Sequence, residues 1–137
     1  MEAQWYNVLP KEAVAIRTEV FMNEQGFQNE FDDIDHTCLH VVIWEKDTYI
    51  ACGRLILEGD CAHLGRIAVL KPYRRQKTGS FLVNRMIEKA QEIGCKYVWL
   101  SAQSRVQQFY QSLGFLMEGE EYMDEHYPHV NMKKPIG

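Results

Sequence analysis

Between Cys38 and Leu70 the chain alternates apolar, β-branched runs with short polar turns. Cys38–Glu45 (C-L-H-V-V-I-W-E), Thr48–Glu58 (T-Y-I-A-C-G-R-L-I-L-E) and Cys61–Leu70 read as three strands, with turns at Lys46-Asp47 and Gly59-Asp60. Strands joined so tightly make an antiparallel meander. The period then changes. Across Thr78–Ile93, Phe81, Leu82, Met86, Ile87, Ala90 and Ile93 recur at helical spacing, with Thr78 as the predicted N-cap and Gly94 as the stop. Tyr97–Ser101 (Y-V-W-L-S) follows as a buried strand. A strand–helix–strand order requires a crossover and hence at least one parallel pair.

The flanks are read in the same way. Residues 3–8 predict a short strand stopped by Pro10, and Lys11–Met22 predicts a helix through Val14, Ala15, Thr18, Phe21 and Met22. Asn23–Asp35 is acidic and polar, with Gly26 inside it, and reads as a loop. A charge run of this kind is ordinarily a solvated face, although the interleaved Phe27, Phe31 and Ile34 also suit a lid or substrate-side loop. A short helix from about Ser104 through Leu113 ends at Gly114, and two strands surround a loop near Glu125–Pro128. The expected fold class is α+β: a mixed, mostly antiparallel sheet flanked by helices. No repeat or linker interrupts the chain, so residues 1–137 are expected to form a single domain.

Composition narrows the possible partners. At 137 residues and 16.1 kDa the chain can bury one real core. A net charge of −4 argues against general nucleic-acid binding. The four cysteines (Cys38, Cys52, Cys61, Cys95) show no C-x-x-C spacing, so no metal site is expected and the thiols should be reduced and mostly buried. No basic segment leads into an apolar run at the start, and no apolar stretch approaches the ~20 residues that span a bilayer. A soluble, cytoplasmic protein without a membrane partner is expected.

Positive charge is concentrated at one place. In R-I-A-V-L-K-P-Y-R-R-Q-K-T-G-S-F (Arg66–Phe81) a strand ends at Val69–Leu70, Pro72 breaks it, and cations precede a helix start. The plain reading is a solvated turn. Arg and Lys side chains beside a helix N-terminus nevertheless favour an anion. A diphosphate suits the place better than a carboxylate, because several N–H groups can each take an oxygen.

The pattern R-I-A-V-x-x-x-Y-R-R-x-x-x-G-S, followed by W-L-S-A-Q-S-x-V-x-x-F-Y-x-x-L-G-F, resembles the GCN5-related N-acetyltransferase superfamily. V-F-M-N-E-Q, E-F-D-D-I-D-H and H-Y-P-H-V-N-M resemble a bacterial subgroup of small, single-domain members, so the likeness runs from about Val20 to Lys133. There is one departure: Lys77 stands where the family's pyrophosphate loop has its first glycine.

The resemblance implies acetyl-CoA as acyl donor, the acyl-CoA N-acyltransferase fold and direct transfer to a primary amine of a small molecule or protein. It implies that Arg66–Val69 parts from Tyr97–Ser101, with pantetheine held along Ile67, Ala68 and Val69. Arg74, Arg75, Gln76, Lys77, Thr78, Gly79 and Ser80 would surround the diphosphate, and Ser104 and Phe109 would line the thiol end. Tyr110 would give a proton to the departing thiolate. In the family, many members carry a glutamate as general base on the strand before the loop, where this chain has Gly65 and Arg66. The other candidate bases are Glu24, His40, His63 and His129, of which His129 is preferred because its strand should approach the active-site end of the sheet. The acidic loop Asn23–Asp35 would suit a cationic amine as acceptor, and the same composition also serves an ordinary solvent-exposed loop. Dimers are the usual form of such domains. A non-catalytic acyl-CoA-binding or regulatory domain is the alternative, and a structural domain dimerising through its C-terminal strands is a third reading.

Overall fold

Strand periodicity and helical periodicity meet in a single sheet covered on both faces. The computed structural model describes residues 1–137. Its strands are β1 (Glu2–Tyr6), β2 (Leu39–Glu45), β3 (Thr48–Glu58), β4 (Cys61–Val69), β5 (Tyr97–Gln103), β6 (Leu116–Asp124) and β7 (Tyr127–Pro135). They lie in the order β1-β2-β3-β4-β5-β7-β6. Every neighbouring pair is antiparallel except β4–β5, which is parallel because the helix α2 (Thr78–Ile93) crosses over between them. The expected α+β fold is the observed one.

Alternation along β2 divides the core. Val41 and Ile43 point into the cluster under α2, with Leu82, Val83, Met86, Ile87 and Ala90. Val42 points the other way, to Cys52, Ala68 and the buried face of α1 (Lys11–Arg17). All four cysteines are free and buried; burial pushes the Cys52 thiol up to about 12, so it behaves as a small hydrophobe. A third helix, α3 (Gln107–Ser112), sets Tyr110 against the α2 side of the core. No helix is long and apolar enough to cross a membrane.

Three sequence expectations need correction. The α-helix predicted over Lys11–Met22 stops at Arg17 and continues as a wider π-helical stretch over Thr18–Glu24. Thr78 is not the N-cap of α2; it is the first helical residue and is buried, while Lys77 caps in a left-handed conformation. The acidic stretch Asn23–Asp35 is not simply a solvated face, since Glu30 and Asp35 are 5% and 1% exposed.

Those two acids are buried because three arginines reach them. Arg17 donates from Nε to Glu30 (2.9 Å), from Nη1 to Asp35 (2.8 Å) and from Nη2 to the Glu30 carbonyl (2.9 Å). Arg54, on β3, donates from Nη1 to Asp32 (2.7 Å) and Asp35 (3.0 Å). Arg66, on β4, places Nε 2.9 Å from the Glu30 carboxylate and 3.0 Å from its carbonyl, with Nη2 3.4 Å from Asp32. Three cations balance three carboxylates, the condition under which charge is tolerated inside. Burial alone would raise the Asp35 pKa, but the Arg17 and Arg54 bonds outweigh it and hold the carboxyl down at about 2.

Breaking a buried pair on one side leaves an uncompensated charge. Asp35→Asn should therefore cost about 3–5 kcal/mol in urea unfolding, whereas Glu88→Gln, which breaks an exposed pair with Arg85, should cost about 0–1 kcal/mol. The depressed Asp35 pKa means that the unfolded chain binds its proton first as pH falls. Its stabilising contribution is complete above the unfolded value of 3.8 and is lost toward 2. Thermal melts across that window should show a drop in Tm that Asp35→Asn flattens.

Candidate functional site

The parallel pairing of β4 with β5 is short. It runs from Cys61↔Tyr97 to Leu64↔Leu100 and stops. Just beyond, Arg66 and Ile67 of β4 stand opposite the single residue Gly53 of β3, between the pairs Arg54↔Gly65 and Cys52↔Ala68. This is a β-bulge, and Arg66 carries its left-handed backbone at φ 49. β5 meanwhile continues along β7 through Ser101↔Asn131, Ala102↔Val130 and Gln103↔His129. The two strands thus diverge, and Ile67, Ala68 and Val69 face a gap in which neither strand meets its neighbour. A backbone edge left open in this way can pair with an extended, amide-bearing ligand.

At the mouth of the gap lies the cationic loop. A 3-10 turn over Lys71–Tyr73 leads to Arg75 and Lys77, both left-handed at φ 64 and φ 65. Lys77 therefore adopts the backbone conformation that glycine takes most easily, and α2 starts where a glycine would allow it to start. No side chain caps this helix, and its first intrahelical bond is Phe81 N–H to the Lys77 carbonyl (3.0 Å). The N–H groups of Thr78, Gly79 and Ser80 precede that bond and are aligned to receive an anion.

The other predicted loop residues divide. Arg75 and Lys77 make no ion pair. Arg74 is turned away from the helix start: it donates to the Val69 carbonyl (2.8 Å) and to both oxygens of Glu24 (3.0 and 3.1 Å). Gln76 donates to the Pro72 carbonyl (3.3 Å). A Cβ at Gly79 would lie 3.2 Å from the Phe109 ring, so the glycine lets α3 close against the start of α2.

Phe109 stands edge-on to Tyr110 (centroids 5.0 Å), which in turn stands edge-on to Phe115 (5.8 Å). Tyr110 is 7% exposed, and burial pushes its hydroxyl pKa upward. It therefore keeps its proton at neutral pH and can act as a donor. The hydroxyl of Ser104 donates to Glu121 (2.7 Å).

Of the candidate bases, three are occupied structurally. Glu24 holds Arg74. His40 is buried with Nε2 against the Asp35 carbonyl (2.8 Å), and burial lowers its pKa. His63 is stacked on Trp99 (centroids 3.8 Å), and burial lowers its pKa as well. His129 lies opposite Gln103 at the open end of the gap, stacked on Tyr122 (6.1 Å). Its Nδ1 is 2.9 Å from the Tyr127 carbonyl, which selects the Nδ1–H tautomer and leaves the Nε2 lone pair available. Asp35, Cys38 and His40 bring potential metal ligands within 4.8 Å, but the Asp35 oxygens are already taken by Arg17 and Arg54.

Sequence reasoning missed how Gln25–Gln28 arch over to the β6–β7 turn. Gln103 donates to the Gln25 side chain (2.7 Å), and His126 Nε2 meets the Gln25 carbonyl (2.7 Å). Glu125 accepts from the Gln28 N–H (3.3 Å), while Phe27 stacks on His126 (5.7 Å) and Tyr127 (5.4 Å). The available signal was Phe27 itself, an aromatic residue next to Gly26 in an acidic run.

The comparisons with known proteins agree with this geometry. The profile of the acetyltransferase (GNAT) family matches residues 3–115. The chain is 35% identical over 130 residues to the uncharacterized protein YyaT of Bacillus subtilis, covering 91% of this chain and 88% of the other. The crystal structure of Escherichia coli ElaA superposes with a TM-score of 0.88 at 28% identity, covering 98% of this chain and 99% of that one. An acyl-CoA N-acyltransferase from Pseudomonas aeruginosa does so with a TM-score of 0.86 at 25% identity, covering 98% and 99%. With its parted β4 and β5, its uncapped α2 and these relatives, the chain belongs to the acetyltransferase (GNAT) family.

Proposed function

We propose that the protein transfers the acetyl group of acetyl-CoA directly to a primary amine of a small molecule or a protein. The observation that carries this reading is the gap between β4 and β5, followed by a helix start that no side chain caps; Phe109, close to Gly79 at that start, packs on the buried Tyr110. Acetyl-CoA would bring the activated thioester. The chain's own residues supply the rest. The N–H groups of Thr78, Gly79 and Ser80, with Arg75, Gln76 and Lys77, would hold the diphosphate, and Arg74 would brace the loop through Glu24. The backbone at Ile67, Ala68 and Val69 would hold the pantetheine amides.

Ser104 and Phe109 would border the thiol end, where the Tyr110 hydroxyl holds a proton for the departing sulfur. The Nε2 of His129 would take the proton that the amine must lose, with Nδ1 fixed by the Tyr127 carbonyl. A second reading, an acyl-CoA-binding or regulatory domain without turnover, draws support from Gly65 and Arg66 standing where the family resemblance implies a glutamate, and from Lys77 in place of the loop glycine. Acetyl-CoA consumption over a panel of alkylamines, polyamines, aminosugars and lysine peptides separates the two.

Tyr110→Phe keeps the packed ring and removes only the hydroxyl. It should lower turnover by about a hundredfold, at the lower end of the range for acid–base catalysis, with acetyl-CoA affinity retained. Unchanged turnover on an accepted amine would refute the role. Lys77→Gly exchanges a left-handed lysine for a residue that prefers that conformation but is more flexible. The opposing effects, each about 1 kcal/mol, should leave acetyl-CoA affinity in calorimetric titration within about tenfold of the original.

A further inference from the structure

Arg66 occupies an unusual place. Its backbone is the left-handed residue of the β4 bulge, where glycine is the favoured occupant, and yet it carries a long side chain. That side chain runs from the bulge to the segment after α1, meeting the Glu30 carboxylate (2.9 Å), the Glu30 carbonyl (3.0 Å) and Asp32 (3.4 Å). The other two arginines of the buried network come from elsewhere: Arg17 from α1 and Arg54 from β3. Arg66 alone comes from the strand whose departure from β5 opens the gap.

The segment it grips forms no backbone ladder with the sheet. Outside regular elements, its backbone bonds are local, such as Phe27 N–H to the Phe21 carbonyl (2.8 Å) and Asp35 N–H to the Asp32 carbonyl (3.2 Å). Its hold comes through side chains: His40 of β2 meets the Asp35 carbonyl (2.8 Å), and two larger groups of contacts flank the gap. One is the arginine network at Glu30, Asp32 and Asp35. The other is the contact of Gln25–Gln28 with Gln103 at the end of β5 and with Glu125, His126 and Tyr127 at the β6–β7 turn. The segment is therefore anchored on the β4 side at one point and on the β5–β7 side at another. It crosses the gap that the bulge creates.

We propose that Arg66 is a positioning residue. From the bulge that opens the gap it clamps Glu30 and Asp32, so that Gln25–Gln28 rest on β5 and the β6–β7 turn and wall the acceptor side of the site. The same residue thus sets both the opening and its cover. That the wall faces an acceptor rests on the acyl-transfer reading; the clamp itself does not.

Arg66→Gly separates the two roles, because glycine accommodates the left-handed bulge backbone and removes the side chain that reaches Glu30 and Asp32. Hydrogen exchange should become about tenfold faster or more at residues 25–36 and at the β6–β7 turn, with α2 and β3 unchanged. Acetyl-CoA affinity by calorimetry should stay within about threefold, while KM rises about tenfold or more for the panel amine that the wild type acetylates fastest. Arg66→Lys, with one ammonium in place of a fork, should fall between wild type and the glycine variant in exchange. Unchanged protection at 25–36, or equal loosening of the whole fold, would overturn the proposal, as would an unaltered amine KM beside a raised acetyl-CoA KM. A wild-type protein that binds no acetyl-CoA would instead sink the acyl-transfer reading, and the exchange pattern would still decide whether Arg66 clamps the segment.

Discussion

Two parallel strands that begin paired and then separate give this molecule its functional geometry. β4 and β5 share four register positions, from Cys61↔Tyr97 to Leu64↔Leu100, before the bulge at Arg66–Ile67 turns β4 away. A sheet loses ladder hydrogen bonds where its strands part, and the unpaired groups must find another partner. Here the separation is supported on each side. β5 keeps a full antiparallel partner in β7, and β4 keeps β3, so the gap interrupts only one edge of each strand. The helix that follows β4 then begins without a side-chain cap, leaving its first N–H groups without an intrahelical or side-chain partner. Strand edge and helix end are complementary to an extended, amide-containing chain that terminates in phosphate.

The bulge also ties β4 into the charge network. A guanidinium extending from β4 into the protein needs carboxylates, and Glu30 and Asp32 provide them, with Arg17 and Arg54 balancing the remaining charge on Asp35. Burial dominates at Glu30, raising its pKa despite Arg66 and Arg17, whereas at Asp35 the arginine bonds prevail. Such networks are worth less to net stability than their short distances suggest, because desolvation offsets much of the attraction. What this one supplies is placement: a segment with few backbone bonds of its own is fixed across the opening.

Most of the fold could be read from periodicity. The meander from β2 to β4, the bounds of α2 at Thr78–Ile93 and the parallel crossover all follow from alternation, helical spacing and turn residues. The cationic loop and helix start were likewise legible, because their chemistry is local in sequence. Long-range pairing was not. An acidic run beside glycine reads as solvated when its partners lie at Arg17, Arg54 and Arg66, far away along the chain. Arg54 amid the apolar residues of β3 was a usable sign, since a charge in such a strand requires a buried counterion. Lys77 also looked like a defect by residue type, yet its backbone is left-handed as a glycine's would be. Conformation at that site is set by the loop around it.

The central claim is that the gap between β4 and β5 receives acyl-CoA with its diphosphate at the start of α2. A crystal structure of the protein grown with acetyl-CoA tests this most directly. The account predicts diphosphate oxygens within hydrogen-bonding distance of the Thr78, Gly79 and Ser80 amides, pantetheine between Ile67–Val69 and Ser101–Gln103, and the sulfur beside Tyr110. Acetyl-CoA bound on another surface, with the gap closed by direct pairing of β4 and β5, would contradict it.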